Sequence, residues 1–323
     1  MCTAVSVNLK NHYFGRNLDY EHNFGEKIVI TPRNFPFGFT NGKTSAEHFA
    51  MIGVAFPYDN YPLYFDAVNE KGLAIAGLRF AGFSEYREKI ENKINVASFE
   101  LIPYLLTECE NVKETEKLLE NINITNQAFD KEIPPSPLHW IIADSKDAIT
   151  LEQTKDGLKV YDNPIGVLTN NPTFDMQMFN LKNYMTVSAE EPQNEFSDKI
   201  ELKPYSRGMG AVGLPGDFSS MSRFVKTSFI TLNSVFGDKE ENIVNHFFHI
   251  LYSVFNQKGC VRVGADFEIT NYTSCCNADK GIYYYTTYNN STITAVSMHR
   301  ENLDSNDLII YDMKKDTQIM FQN

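Results

Sequence analysis

The sequence predicts an α+β fold in which two β-sheets carry helices on their outer faces. Strand-like segments come first, a pair of helical segments follows, and strands, a second helix pair and further strands complete the chain. This order is typical of a layered α+β domain and not of a doubly wound one. No repeat, low-complexity stretch or Pro/Gly linker divides the chain, so residues 1–323 are expected to form a single domain.

The first predicted element is a β-hairpin at the N-terminus. Apolar side chains alternate with small ones from Cys2 to Leu9, which is the period of a half-buried strand. Lys10-Asn11 is suited to a two-residue turn, because asparagine tolerates positive φ. A turn there places Cys2 directly opposite Asp19.

The later elements follow in order along the chain. Asn111 is expected to cap the second helix, with Glu114 completing a capping box, and Asn289-Asn290 is the turn of a C-terminal hairpin. Helices are predicted over 98–109, 112–121, 222–235 and 240–255. Strands are predicted over 26–32, 62–68, 71–78, 138–144, 148–153, 158–162, 165–170, 281–288 and 291–298.

Composition excludes several functional classes. A net charge of −12 with no basic run argues against a nucleic-acid partner. No apolar stretch approaches the length of a transmembrane helix, and no secretory signal precedes the hairpin, so a cytoplasmic location is expected. The 323 residues, of which 42% are hydrophobic, are enough for a large buried core.

The cysteines and histidines do not form an evident metal site. Five cysteines without framework spacing indicate reduced thiols, and adjacent Cys275-Cys276 are interpreted as strand residues. His246 and His249 have a spacing that metal ligands use on a helix, but no third ligand lies near them in sequence. His139 precedes Trp140 in a predicted strand, where a structural role is expected. No metal site is therefore predicted, and the chemistry considered below needs no organic cofactor.

Cys2 is the principal candidate for catalysis. A small second residue allows an aminopeptidase to remove Met1, which would leave cysteine at the N-terminus. Its α-amine then has a pKa of about 7.7–8.0 in an unperturbed setting and serves as a base beside the thiol. This pairing is the logic of N-terminal nucleophile hydrolases.

Two residues of the second hairpin strand are candidates for the same site. Asp19 is expected to orient the Cys2 amine, and Arg16 is expected to lie near the sulfur and favour the thiolate. Under the pairing predicted above, alternation places these two side chains on opposite faces. A twist or bulge at Gly15 would bring both to the site. The alternative is an ordinary exposed arginine and aspartate on an edge strand.

Three further candidates stand at element ends. Asn170 closes a strand before Asn171-Pro172 and is suited to donate to an oxyanion, although a turn role is common for this pattern. Arg223 lies in the first turn of a helix capped by Ser219, Ser220 or Ser222, where a cation opposes the helix dipole. Arg79 ends a strand before a bend.

Taken together, these segments resemble the choloylglycine hydrolases, the family of bile salt hydrolases and penicillin V acylases. The likeness spans nearly the whole chain and is greatest to bile salt hydrolases of Gram-positive gut bacteria. It is carried by MCTA, YFGRNLDYE, YPLYFDAVNEKGLAIAGL, SPLHWIIAD, DNPIGVLTNNPTFD, GLPGDFSSMSRFVK and KGIYYYTTY.

The resemblance implies a four-layer αββα N-terminal nucleophile hydrolase sandwich, often assembled as a homotetramer. Cys2 matches the family's nucleophile, and Arg16 and Asp19 match the pair beside it. Asn170 matches the side-chain donor of the oxyanion hole, and Arg223 matches the remaining active-site arginine. The implied reaction is hydrolysis of glycine- or taurine-conjugated bile salts through a Cys2 thioester.

Arg79 departs from the family pattern, which has asparagine in bile salt hydrolases and tyrosine in penicillin V acylases. The family uses the backbone N–H here as the second oxyanion donor, which any side chain preserves. The alternatives are therefore an acylase for penicillin V, an acyl-homoserine lactone or another N-acyl amide, and a catalytically silent relative. An N-terminal nucleophile peptidase or amidotransferase is disfavoured, because no partner domain for it is present. Aromatic segments at 34–39, 55–65 and 79–80 are candidate walls of an apolar pocket.

Overall fold

The computed structural model describes all 323 residues and has the predicted α+β architecture. Its helices are α1 (Leu101–Glu108), α2 (Val112–Leu119), α3 (Phe174–Leu181), α4 (Ser220–Asn233) and α5 (Glu240–Tyr252). Its strands are β1 (Cys2–Asn8), β2 (His12–Tyr20), β3 (Lys27–Thr31), β4 (Phe37–Gly38), β5 (Thr44–Ser45), β6 (Met51–Tyr58), β7 (Tyr61–Asn69), β8 (Ala74–Arg79), β9 (Ile94–Ala97), β10 (Ile122–Thr125), β11 (Leu138–Ala143), β12 (Ala148–Thr154), β13 (Gly157–Asp162), β14 (Val167–Leu168), β15 (Arg262–Val263), β16 (Asp266–Phe267), β17 (Ile269–Asn277), β18 (Ile282–Thr287), β19 (Asn290–Ser297) and β20 (Ile309–Asp312).

Two antiparallel sheets form the centre of the molecule. One has six strands in the order β14-β1-β2-β17-β18-β19, and the other has eight in the order β13-β12-β11-β8-β7-β6-β3-β20. Helices α4 and α5 contact the six-stranded sheet, whereas α1 contacts the eight-stranded sheet. The predicted order of two sheets with helices on their outer faces is therefore confirmed.

The eight-stranded sheet is buried on both faces. Ile28 and Ile30 of β3 belong to the core cluster that includes residues of the six-stranded sheet. Val29, which points the other way, belongs to a second cluster with Leu105 of α1. Because side chains alternate across a strand, such a sheet needs apolar residues at successive positions, and the IVI run provides them.

Local signals explain several element boundaries. Asn111 accepts from the Glu114 N–H at 3.0 Å, and the Glu114 carboxylate accepts from the Glu110 N–H, so the predicted cap of α2 is confirmed. Ser219 is the cap of α4. The C-terminal hairpin is also present, but Asn290 pairs with Thr287, so its turn lies one residue earlier than predicted. Helix α3 was not predicted. No helix is long and apolar enough to cross a membrane.

Candidate active site

Cys2 lies in the interior of the six-stranded sheet, because β1 runs between β14 and β2. The residue is only 4% exposed. It pairs with Leu18, so the predicted pairing with Asp19 is wrong by one position. The cause is the loop between the strands, which has three residues, Leu9 to Asn11, instead of two.

The corrected register brings Arg16 to the site without any distortion of its own strand. Arg16 pairs with Ala4, and directly paired side chains share a face, so Arg16 and Cys2 lie on one face of the sheet. The predicted bulge at Gly15 is therefore wrong. Gly15 has another role, since a Cβ there would overlap the backbone of Ser274 on β17. The absence of a side chain at this position allows β2 and β17 to approach closely.

Arg16 is fully buried and donates into the opposite sheet. Its Nη1 donates to the carbonyl oxygens of Phe65 at 2.9 Å and Gly77 at 2.6 Å. Phe65 is an extra residue in β7, because Val54 pairs with Asp66 and the next pair skips to Tyr64. Such a bulge leaves a carbonyl outside the ladder and free to accept from Arg16.

Asp66 lies in the same buried group and was not found from the sequence. It accepts hydrogen bonds from the hydroxyls of Tyr272, at 2.5 Å, and Tyr283. Burial raises the pKa of Asp66, while the Arg16 charge and the two hydroxyls oppose that rise. Burial lowers the pKa of Arg16, but its electrostatic interactions with buried neighbours, Cys2 and Asp66 among them, together raise it above its ordinary value. Arg16 is therefore a fixed cation on the face of Cys2.

Asp19 pairs with Met1 instead of Cys2. Its backbone N–H donates to the Met1 carbonyl at 2.9 Å, and the Met1 amine donates to the Asp19 carbonyl and to Glu268. The Asp19 carboxylate accepts from Thr270 at 2.6 Å, while its Oδ2 is buried with no partner. Burial raises the pKa of Asp19, and the nearby N-terminal amine and Arg223 act against that rise. An unpartnered carboxylate oxygen thus remains beside the start of the chain.

Asn170 and Arg223 hold the backbone of Cys2. Asn170 Oδ1 accepts from the Cys2 N–H at 2.8 Å and from Arg223 Nη2 at 2.7 Å. Arg223 Nη1 donates to the Cys2 carbonyl at 2.5 Å and to Thr3 Oγ1 at 2.6 Å. Burial lowers the pKa of Arg223, and the charges of Asp19 and Cys2 oppose that shift. The placement of a cation in the first turn of α4 is thereby explained, because its side chain serves the β1 backbone.

The backbone and the side chain of Arg79 contact different parts of the site. Asn170 Nδ2 donates to the Arg79 carbonyl at 2.8 Å. Phe80, the next residue, donates its N–H to the Pro137 carbonyl at 2.8 Å, on the side of β11. Because successive residues of a strand direct their N–H and carbonyl groups to opposite sides, the N–H and the carbonyl of Arg79 both point away from β11. Pairing of β8 with β7 ends at Ala76, which leaves that edge unpaired.

The side chain of Arg79 is exposed and donates to the Tyr20 hydroxyl at 3.0 Å. It lies at the rim of a cavity of about 220 Å³ that also contacts Cys2 and Arg16. The remaining lining is mostly apolar, so the thiol and two cations lie on a largely hydrophobic space. The lining includes Leu18, Tyr20, Phe24, Phe56, Leu63, Tyr64, Phe65, Phe99, Ile133 and Leu138.

Of the three predicted wall segments, 55–65 lines the cavity with Phe56 and residues 63–65, 79–80 does so only with Arg79, and 34–39 does not line it. Phe35, Phe37 and Phe39 belong to the core cluster on the helix side of the eight-stranded sheet. Phe80 stacks on His139. No group of three or more His, Cys, Asp or Glu side chains is arranged to hold a metal ion.

Comparison with known proteins identifies the family of the chain. The family described as linear amide C-N hydrolases, choloylglycine hydrolase family, matches residues 2–311. A bile salt hydrolase/transferase of Lactiplantibacillus plantarum is 50% identical over 98% of both chains. A conjugated bile acid hydrolase of Lactobacillus gasseri is 37% identical over 96% of this chain and all of the relative.

The chain belongs to the choloylglycine hydrolase family.

Solved structures extend this assignment to the fold. A conjugated bile acid hydrolase variant from Clostridium perfringens superposes on this choloylglycine hydrolase with a TM-score of 0.92, at 38% identity and full coverage of both chains. Penicillin V acylase from Agrobacterium tumefaciens has a TM-score of 0.76 at 17% identity, covering 99% and 94% of the two chains, and shows the shared fold.

Proposed function

We propose that this choloylglycine hydrolase cleaves the amide bond of glycine- or taurine-conjugated bile salts through a thioester on Cys2. The observation that carries the proposal is the position of Cys2 at an apolar cavity with Arg16 and Arg79. Such a cavity accommodates an apolar acyl group beside the thiol, and the exposed cation attracts the anionic end of the leaving group. The names of the bacterial relatives support the same substrate class.

In the proposed mechanism, Met1 is first removed and the Cys2 nitrogen becomes a free amine. That nitrogen already lies 2.8 Å from Asn170 Oδ1. Asp19, with its unpartnered Oδ2, is proposed to orient the amine, and Arg16 is proposed to stabilise the thiolate charge. The buried environment strengthens both interactions.

The Cys2 amine takes the proton of the Cys2 thiol, and the resulting thiolate attacks the amide carbonyl carbon. The oxyanion accepts from Asn170 Nδ2 and the Arg79 N–H, which lie at the same unpaired edge of β8. The C–N bond breaks as the Cys2 ammonium gives its proton to the leaving nitrogen, which releases glycine or taurine. The amine next takes a proton from water, whose oxygen attacks the thioester, and breakage of the C–S bond releases the bile acid. Arg223 holds the Cys2 carbonyl throughout.

The test measures glycine and taurine release from glycocholate and taurocholate, with penicillin V as a third substrate. Intact mass is recorded on the same sample to establish loss of Met1. Cys260 is the exposed thiol, whereas Cys2, Cys109, Cys275 and Cys276 are buried. Cys260→Ala therefore serves as the matched control that keeps activity, and Cys2→Ala is expected to abolish it.

The outcomes separate the alternatives. Release from bile salts by protein that lacks Met1, lost in Cys2→Ala, supports the proposal. Turnover of penicillin V alone would move the substrate to another N-acyl amide. No turnover by correctly processed protein would support the silent relative and identify Arg79 as the first residue to revert.

Three expectations are not addressed by this assay and stay predictions: the homotetramer, the single domain over residues 1–323 and the cytoplasmic location.

A further inference from the structure

His139 of β11 is buried beside the proposed oxyanion hole, and the reaction outlined above does not use it. Both His139 and Glu152 of β12 have no exposed side-chain surface. Nδ1 of the ring lies 3.1 Å from Glu152 Oε1, and Nε2 lies 3.0 Å from the carbonyl oxygen of Thr169. A histidine in the interior with two such specific contacts is held in one orientation.

These contacts determine which ring nitrogen carries a hydrogen. A carbonyl oxygen only accepts, so Nε2 must donate to Thr169. Glu152 contacts the other ring nitrogen, Nδ1, and so holds the ring in the orientation in which Nε2 meets Thr169, as carboxylates do for other functional histidines.

The ring also contacts the other side of the proposed oxyanion hole. Phe80 stacks on His139 with ring centroids 4.2 Å apart and an interplanar angle of 6°. Phe80 follows Arg79, and Thr169 precedes Asn170. One imidazole therefore touches the chain neighbour of each of the two proposed donors, just after β8 and β14, two strands that do not pair with each other.

We propose that His139 is a positioning residue that fixes the Asn170 and Arg79 donors relative to one another, and that Glu152 fixes the His139 ring. The idea rests on the proposed function for its catalytic consequence. Preorganised donors stabilise an oxyanion only when both are correctly placed. Loosening of the segment after β14, which carries Asn170, therefore lowers the rate of the chemical step, while substrate binding in the apolar cavity persists.

The test compares His139→Leu, His139→Gln and Glu152→Gln with His12→Leu as the matched control. His12 is also buried and bonded to a hydroxyl and a carbonyl, those of Ser6 and Gly72, but it lies at the far end of the β1–β2 hairpin. Each variant is assayed for kcat and KM, normalised to titrated Cys2 thiol, and for hydrogen exchange over residues 167–173.

His139→Leu is expected to lower kcat by about 10- to 100-fold with little change in KM, and to speed exchange over 167–173. His139→Gln restores most of both, because its Nε2 can still donate to Thr169. Glu152→Gln keeps the ring and its stack but replaces the carboxyl group that holds Nδ1, so it gives an intermediate loss. It also keeps the test decisive if His139→Leu does not fold.

Unchanged exchange over 167–173 in His139→Leu would overturn the proposal, as would an unchanged kcat or a rise in KM alone. An equal loss in His139→Gln would reduce His139 to a packing residue. If wild-type protein cleaves no amide, the proposed function fails, and hydrogen exchange still decides whether His139 holds this strand end.

Discussion

Replacing Asn170 by aspartate removes one hydrogen-bond donor and preserves the other contacts of the side chain. The carboxylate can still accept from the Cys2 nitrogen and from Arg223, at the present 2.8 and 2.7 Å. The Nδ2 that donates to the Arg79 carbonyl at 2.8 Å becomes an oxygen, so this hydrogen bond is lost. Loss of this hydrogen bond lowers the free energy of unfolding by about 1 kcal/mol. The new ion pair between the introduced carboxylate and Arg223 offsets that loss.

The expected effect is therefore on the reaction. Loss of one oxyanion donor costs about 2.7–4 kcal/mol of transition-state stabilisation, or about 10²–10³ in kcat. Asn171→Asp is the matched control, because Asn171 Nδ2 donates to the Ala81 carbonyl at 2.6 Å and makes no contact with Cys2 or Arg223. It introduces the same charge one residue away and is expected to keep a kcat close to that of wild type.

The assay is amino-acid release from glycocholate across a substrate series, normalised to alkylatable Cys2 in a Cys260→Ala background. Melting temperatures establish that each variant is folded. Asn170→Ala lacks the amide donor and introduces no charge. If loss of the donor causes the defect, its kcat should fall as far as that of Asn170→Asp. A kcat near the wild-type value in Asn170→Asp, or an equal loss in Asn171→Asp, would refute the assignment of Asn170 as an oxyanion donor.

Three further predictions concern stability and substrate affinity. Gly15→Ala is expected to destabilise the protein by about 3 kcal/mol or more in urea denaturation, because its Cβ would lie 2.8 Å from the Cys275 Cα; Gly38→Ala, which has open space, is the control. Burial lowers the pKa of His12 to about 4, from 6.5, so His12 favours folding above pH 6.5. That contribution falls by about 3 kcal/mol as the pH drops to 4, a loss that His12→Leu should not show. Arg79→Asn is expected to raise KM for taurocholate several-fold at low salt and less at high salt, with an unchanged melting temperature. An equal KM at both salt concentrations would contradict a charge role for Arg79.

The N-terminal hairpin shows how far the sequence leads and where it stops. Alternation predicts the two strands, which the structure confirms, and the observed register places Arg16 on the face of Cys2 but pairs Asp19 with Met1. The register was wrong because Thr3, Ala4 and Val5 are all buried, so hydrophobicity does not distinguish the two faces of β1. With no such constraint, the prediction depended on the length of the loop, and that is a weak signal.

Other parts of the site had no local signal at all. Asp66 meets Tyr272 and Tyr283 only because the two sheets stack, and nothing near Asp66 in the chain indicates those partners. His139 and Glu152 were likewise separated from Thr169 by their place in the other sheet. In contrast, the unfavourable position of Arg223 at a helix start was a usable signal, since its cost indicated a compensating contact.

The interior position of β1 also determines when the thiol can act. Cys2 is the first functional residue to be synthesised, but β14 and Arg223, which hold it, come much later in the chain. At about 5–20 residues per second, roughly 10–45 s pass between the synthesis of Cys2 and that of Arg223. During that interval the Cys2 backbone lacks the Arg223 contacts that hold it in the folded protein. A ribosome-bound chain that ends before α4 is therefore expected to present an ordinary cysteine, and the proposed reactivity of Cys2 toward amides would begin only after α4 has been synthesised.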